Sequence, residues 1–104
     1  MAVKNTPLTE AVYYILLSVV QPVHGYGIIQ NVKEKSGGRL VLAPGTLYGA
    51  ITNLLVKGWI ETINEDETSR KKDYIITADG MAVLKAELDR LEELVKNGRE
   101  IIER

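Results

Sequence analysis

Between Pro44 and Trp59 the sequence reads PGTLYGAITNLLVKGW, and the groups there that can do chemistry are hydroxyls, one amide and one ammonium: Thr46, Tyr48, Thr52, Asn53 and Lys57. This set makes hydrogen bonds and carries no strong acid, general base or nucleophile. Asn53 can pair bidentately with adenine, or stand as a solvated polar residue. Tyr48 can hydrogen-bond a phosphate while its ring packs on the domain, or be a half-buried core tyrosine. A solvated helix face ordinarily carries Glu, Lys and Gln. Here small groups surround Gly49, which lowers helix propensity by about 1 kcal/mol, and such a face suits close approach to another surface.

Elsewhere the reactive inventory is thin. Cys is absent and His24 is the single histidine, so thiolate chemistry and Cys-based metal sites are excluded. His24 belongs to the turn entering a helix, and the carboxylates are scattered, so no paired acid–base or metal-binding constellation assembles. The chain is expected not to be an enzyme and to need no cofactor or metal. A second polar group, Ser69, Arg70, Lys71 and Lys72, directly follows the acidic run Glu65-Asp66-Glu67. It can track a nucleic-acid backbone or be a plain solvated turn.

A chain of 104 residues, 45% hydrophobic and 26% charged, suffices for one compact unit. Its net charge of −1 argues against a nucleic-acid partner until the distribution is read. Residues 1–60 carry +3, whereas 61–77 and 78–104 each carry −2, so the N-terminal part is mildly basic. The longest apolar run, AVYYILLSVV at 11–20, is too short to cross a bilayer, and Pro7 and Glu10 do not suit a signal peptide. With no Cys to oxidise, a cytoplasmic protein without membrane contact is expected.

The elements follow from caps and periodicity. Thr6-Pro7 predicts a first helix over about 7–20, ended by Gln21-Pro22. Its apolar arc is wide: Ala11, Val12, Ile15, Leu16 and Val19 on one side, Tyr14, Leu17 and Val20 on the next, which fits either a central core helix or burial by a partner chain. A second helix opens at His24-Gly25-Tyr26-Gly27, buries Ile28, Ile29 and Val32, and closes at Ser36-Gly37-Gly38. A short extended piece, RLVL, precedes the third helix, which starts at Pro44, turns Leu47, Ile51, Leu54 and Leu55 inward and stops at Gly58. WIETINE at 59–65 and DYIIT at 73–77 predict a two-stranded ribbon with a charged tip. Thr77 caps a last helix running to 97 or beyond, where Asn97-Gly98 can bend it. Met81, Leu84, Leu88, Leu91 and Val95 recur there at a/d spacing, a seam that packs either on the domain itself or, as expected here, on a second copy.

Helix, helix, helix, hairpin, helix is the winged variant of the helix-turn-helix, mainly α with a β-hairpin, in which the third helix enters the major groove. HGYGI at 24–28, GTLYGAITNLLVKGWIE at 45–61 and SRKKDYIITADG at 69–80 resemble the PadR-type transcriptional regulators over nearly the whole chain. The single C-terminal helix is similar to the smaller subfamily. The resemblance implies a homodimeric repressor with DNA-binding residues 1–77 and a dimerisation helix at 78–104, relieved in many members by small molecules. It also implies DNA contacts by Tyr26, Thr46 and Tyr48, and by Ser69, Arg70, Lys71 and Lys72 in the wing. Members commonly place Pro where Gly49 stands and basic residues near Thr52 and Asn53, so fewer phosphate contacts are expected from this helix.

The expected DNA face is therefore Tyr26, Thr46, Tyr48, Gly49, Asn53, Lys57 and the wing residues Ser69 to Lys72. Val12, Ile15, Val19, Met81, Leu84, Leu88, Leu91 and Val95 form the expected dimer interface. A small aromatic or apolar effector would sit between the first and last helices around Tyr14, Leu17, Leu84, Leu88 and Leu91, unless that region is a solid core. Two rival readings stand beside the operator-binding homodimer: a winged-helix protein-interaction module, and a ligand sensor whose DNA contact is secondary.

Overall fold

The computed structural model describes residues 7–63 and 72–104. Within them the chain forms α1 (Glu10–Ser18), β1 (Val23–His24), α2 (Gly25–Lys35), α3 (Pro44–Lys57), β2 (Ile60–Ile63), β3 (Asp73–Ile76) and α4 (Ala78–Ile102). This is the expected winged helix, mainly helical, with one addition. The predicted ribbon is a three-stranded antiparallel sheet in the order β1-β3-β2, with Val23 opposite Tyr74 and Ile60 opposite Ile76. The third strand comes from the α1–α2 connection, and the RLVL segment before α3 forms no strand.

The start of α1 differs from expectation. Its cap is Thr9, whose hydroxyl accepts from the Val12 N–H at 3.2 Å, with Glu10 suitably placed in the first turn; Thr6 lies outside the described residues. At the other end, the Val19 carbonyl accepts the Ile76 N–H at 2.8 Å, fastening the sheet to the helix. Proline in the first turn of α3 and left-handed Gly58 (φ 75°) beyond its last turn bound that helix. The Gly58 and Trp59 N–H groups donate to the Leu55 and Leu54 carbonyls, satisfying helix-end acceptors that water would otherwise have to reach.

One core joins these elements. Ile15, Leu16 and Val19 of α1 meet Ile28 and Val32 of α2, Leu47, Ile51 and Leu54 of α3, Ile60 and Tyr74 of the sheet, and Leu84 of α4. Leu55, placed inward by its spacing, is 37% exposed because the buried arc of α3 is only as wide as Leu47, Ile51 and Leu54.

The first turn of α4 is locked onto the base of the wing. Thr77 donates its backbone N–H to the Trp59 carbonyl (2.9 Å) and its hydroxyl to the Gly58 carbonyl (2.6 Å), and that same hydroxyl accepts the Gly80 N–H (3.1 Å). Gly80 is needed for this approach: a Cβ there would lie 2.0 Å from the Trp59 carbonyl oxygen. Further along, Glu87 is only 4% exposed. Its carboxylate accepts the Leu8 N–H at 3.0 Å and two bonds from Arg90, at 2.6 and 2.9 Å. Those Arg90 bonds hold the carboxyl below the usual glutamate range against the opposing effect of burial, and the Leu8 N–H adds to the lowering. α4 then continues without a break through Asn97-Gly98 to Ile102.

Candidate nucleic-acid interface

Because α3 buries Leu47, Ile51 and Leu54, its 3.6-residue period turns Gly45, Gly49, Thr52, Asn53 and Val56 outward. Thr46, Gly49, Thr52, Asn53 and Lys57 are exposed, and nothing lies within 4 Å of where a Cβ would stand at Gly45 or Gly49. The Thr52 hydroxyl donates to the Tyr48 carbonyl one turn back (2.9 Å), so its proton is already engaged. Val56, 83% exposed, extends the face with an apolar branch. In the sequence it is hidden by its apolar neighbours Leu54 and Leu55; a valine on an otherwise small polar face can contact a thymine methyl.

Tyr48 marks one edge of this face, with its ring 49% exposed. Its hydroxyl reaches over Gly25 at the start of α2, where a Cβ would come within 2.5 Å of the phenol oxygen. Gly25 thus seats the ring, and Tyr26, 63% exposed, stands next to it in the chain. His24, just ahead, caps α2 with its backbone conformation and makes no side-chain cap bond. Tyr74 on β3 completes the phenol group from beneath. Burial, and secondarily the neighbouring Tyr48, push its hydroxyl above the usual tyrosine range, so it remains a neutral donor at physiological pH.

The charged residues are divided. Lys72 is exposed at the foot of β3, and Ser69, Arg70 and Lys71 lie outside the described residues. The Lys57 ammonium sits 4.6 Å from the centre of the Trp59 ring, on the flank of α3 rather than the middle of its outer face. Arg39 is paired with Glu10.

Lys57 and Asn53 also border a cleft of about 530 Å³ between the start of α1, the flank of α3 and α4, lined further by Leu8, Val12, Leu54, Trp59 and Val83. The expected effector region lies elsewhere. There Leu84 is core, Tyr14 and Leu91 are half-buried, and Leu17 and Leu88 are exposed.

Of the expected dimer residues, Ile15, Val19 and Leu84 are covered by the chain's own core, and Val12 and Met81 are half-buried against it. The side of the α1 arc formed by Ile15, Leu16 and Val19 is absorbed by the chain's own core, together with Leu84, which leaves little of these side chains for a second copy to touch. Leu17 of α1 and Val20 just beyond it stay exposed, as do Leu88, Leu94, Val95, Ile101 and Ile102 in the distal part of α4.

Residues 15–86 match the sequence pattern of the transcriptional regulator PadR-like family. The chain is similar to a transcriptional regulator from Clostridium thermocellum, 26% identical with a TM-score of 0.71 over 88% of this chain and 91% of that one. It is similar also to a PadR-like transcription factor from Bacteroides fragilis, 27% identical with a TM-score of 0.68 over 88% and 87% of the two chains. An uncharacterized 37.1 kDa protein in transposon TN4556 of Streptomyces fradiae is 33% identical over 73 residues, which are 70% of this chain and 20% of that protein. The chain thus spans about a fifth of the length of that curated relative.

Proposed function

The chain belongs to the transcriptional regulator PadR-like family, and on that premise we propose that it binds an operator in double-stranded DNA as a homodimeric repressor. The observation that carries this reading is the outer face of α3. Its bare glycines, small hydroxyls and single amide are flanked by the exposed Tyr48 and Tyr26, so the helix backbone can sit deep in a major groove while phenols reach phosphates at the edge. Asn53 is the base-reading candidate, Thr46 grips phosphate near the helix start, and the wing cations follow the duplex backbone.

The exposed apolar distal half of α4 supports association of two copies, since leaving such a stripe in water is unfavourable. A two-fold dimer would set its two α3 helices about 34 Å apart, one turn of B-form DNA, and so read a pseudo-palindrome. Relief by a small apolar or aromatic effector belongs to the same reading.

The test is fluorescence anisotropy with the promoter of the chain's own gene at stated salt concentrations. Lys57 and three wing cations in each of two subunits give an expected slope of log K against log salt of up to about −7. Tyr48→Ala combined with Arg70→Ala should abolish this binding without changing the oligomer mass. A salt-independent interaction, or a double variant that binds as well as the parent, overturns the proposal.

A further inference from the structure

What the outer face of α3 lacks is a group for guanine. Guanine shows two acceptors, N7 and O6, in the major groove, and the side chains that most often meet both are Arg and Lys. Among the 14 residues of α3 the only cation is Lys57, and its ammonium lies 4.6 Å from the centre of the Trp59 ring, at the margin of the face rather than over its middle.

The groups the face does hold point to the other base pair. Thr52 gives its hydroxyl proton to the Tyr48 carbonyl (2.9 Å), so toward a ligand it presents lone pairs and a methyl group. It can accept from adenine N6 or cytosine N4 and has no proton left for guanine. Asn53, exposed beside it, carries a carbonyl oxygen and an NH₂ group side by side, the pair that matches adenine N6 and N7. Val56, one turn beyond Thr52 and 83% exposed, adds two methyl groups, which suit the C5-methyl of thymine and offer no hydrogen bond to guanine or cytosine. All three side chains are short and reach base edges only if the helix axis lies low in the groove. Gly45 and Gly49 permit that, since each leaves open space where a Cβ would stand.

We propose that α3 reads A·T base pairs, with Asn53 on adenine and with Val56 and the Thr52 methyl on thymine methyl groups, and that it reads no guanine in the major groove. This inference rests on the DNA-binding reading and names the bases that reading would select.

The promoter of the chain's own gene would be amplified with the natural nucleotides, with 7-deazaadenine in place of adenine, with 7-deazaguanine in place of guanine, and with uracil in place of thymine. Each substitution deletes one major-groove group, a purine N7 or the thymine methyl, and keeps Watson–Crick pairing. The full chain would be titrated with each DNA by fluorescence anisotropy at one salt concentration. Loss of adenine N7 should weaken binding about tenfold or more, and loss of guanine N7 by less than about twofold. Uracil should weaken it about fourfold for each methyl contacted. Asn53→Ala should bind the natural and 7-deazaadenine promoters alike, and Val56→Ala should lose most of the uracil effect. Both side chains are exposed, so the two variants should unfold at the parent's temperature. A 7-deazaguanine promoter weakened as much as the 7-deazaadenine one overturns the proposal and leaves the DNA-binding reading standing, as do three modified promoters that all bind like the natural one. Asn53→Ala that still discriminates against 7-deazaadenine overturns the part given to Asn53. A parent chain that binds no natural promoter removes the DNA-binding reading and this inference with it.

Discussion

The two ends of α4 obey different rules. Its first three turns are fitted to the rest of the chain: Gly80 against the Trp59 carbonyl, Leu84 in the core, Glu87 on the Leu8 N–H. Beyond Leu88 the helix is equally regular, yet Leu94, Val95, Ile101 and Ile102 stand in solvent and Gly98 has nothing within 4 Å of a Cβ position. One element therefore carries a segment packed by the rest of the chain and a segment whose apolar side chains the chain itself leaves uncovered. Helicity alone does not distinguish them, because what differs is the packing each end receives.

Substitutions can break this contrast in order of size. Gly80→Val should be the most damaging, at about 3 kcal/mol or more, since the new branch collides with a carbonyl oxygen that cannot swing away; urea denaturation would show it. Leu84→Ala should follow at about 2–4 kcal/mol through a core cavity. Leu94→Ala and Ile101→Ala should leave a dilute single subunit nearly unchanged, while making the melting temperature less dependent on protein concentration. If calorimetry shows all three leucine and isoleucine truncations costing the same at low concentration, the contrast is wrong.

Glu87→Ala comes next, at about 1–3 kcal/mol, since it strands the Leu8 N–H while Arg90 can still reach water. The same site sets a pH dependence. Its folded-state pKa lies below the ordinary glutamate value, so the stabilisation is complete above about pH 4.3 and is lost as pH falls through the lower folded value. Acid unfolding of Glu87→Gln should lack that contribution. Smaller again, Gly98→Ala should stabilise the distal helix by up to about 1 kcal/mol. Removing the exposed Lys96–Glu100 or Arg99–Glu103 pair should change stability by about 0.5 kcal/mol or less. A large loss from Gly98→Ala would mean that something packs on that glycine in solution.

Where chemistry is local, the sequence was readable. Proline at the start of α3, Gly58 after it and Thr77 before α4 fixed helix ends through caps that depend on only a few neighbouring residues. The inward side of α3 came from its period, and with it the small outer face. The strand at Val23 and His24 was not legible, because two residues show no alternation and their partner lies some fifty positions away. Glu87 looked like any solvated glutamate until α4 and the Leu8 segment were brought together. Lys57 could be placed on a flank by counting, but its seat over Trp59 depends on the turn made by Gly58. Gly25 was noted as part of a helix start; its function as the seat of Tyr48 is visible only once α2 and α3 cross.

The lock at Gly80 also has a mechanical side. The helix runs to Ile102, so the arm beyond Leu88 extends about 21 Å from turns held at Gly80, Leu84 and Glu87, and it behaves as a lever anchored on those turns. Tilting that arm by about 5° moves the far tip about 2 Å. If two such levers are clasped at their tips, a slight change in their crossing angle is magnified into a change in the gap between two α3 helices, and the subunits need not deform internally for that gap to fit or miss a turn of duplex.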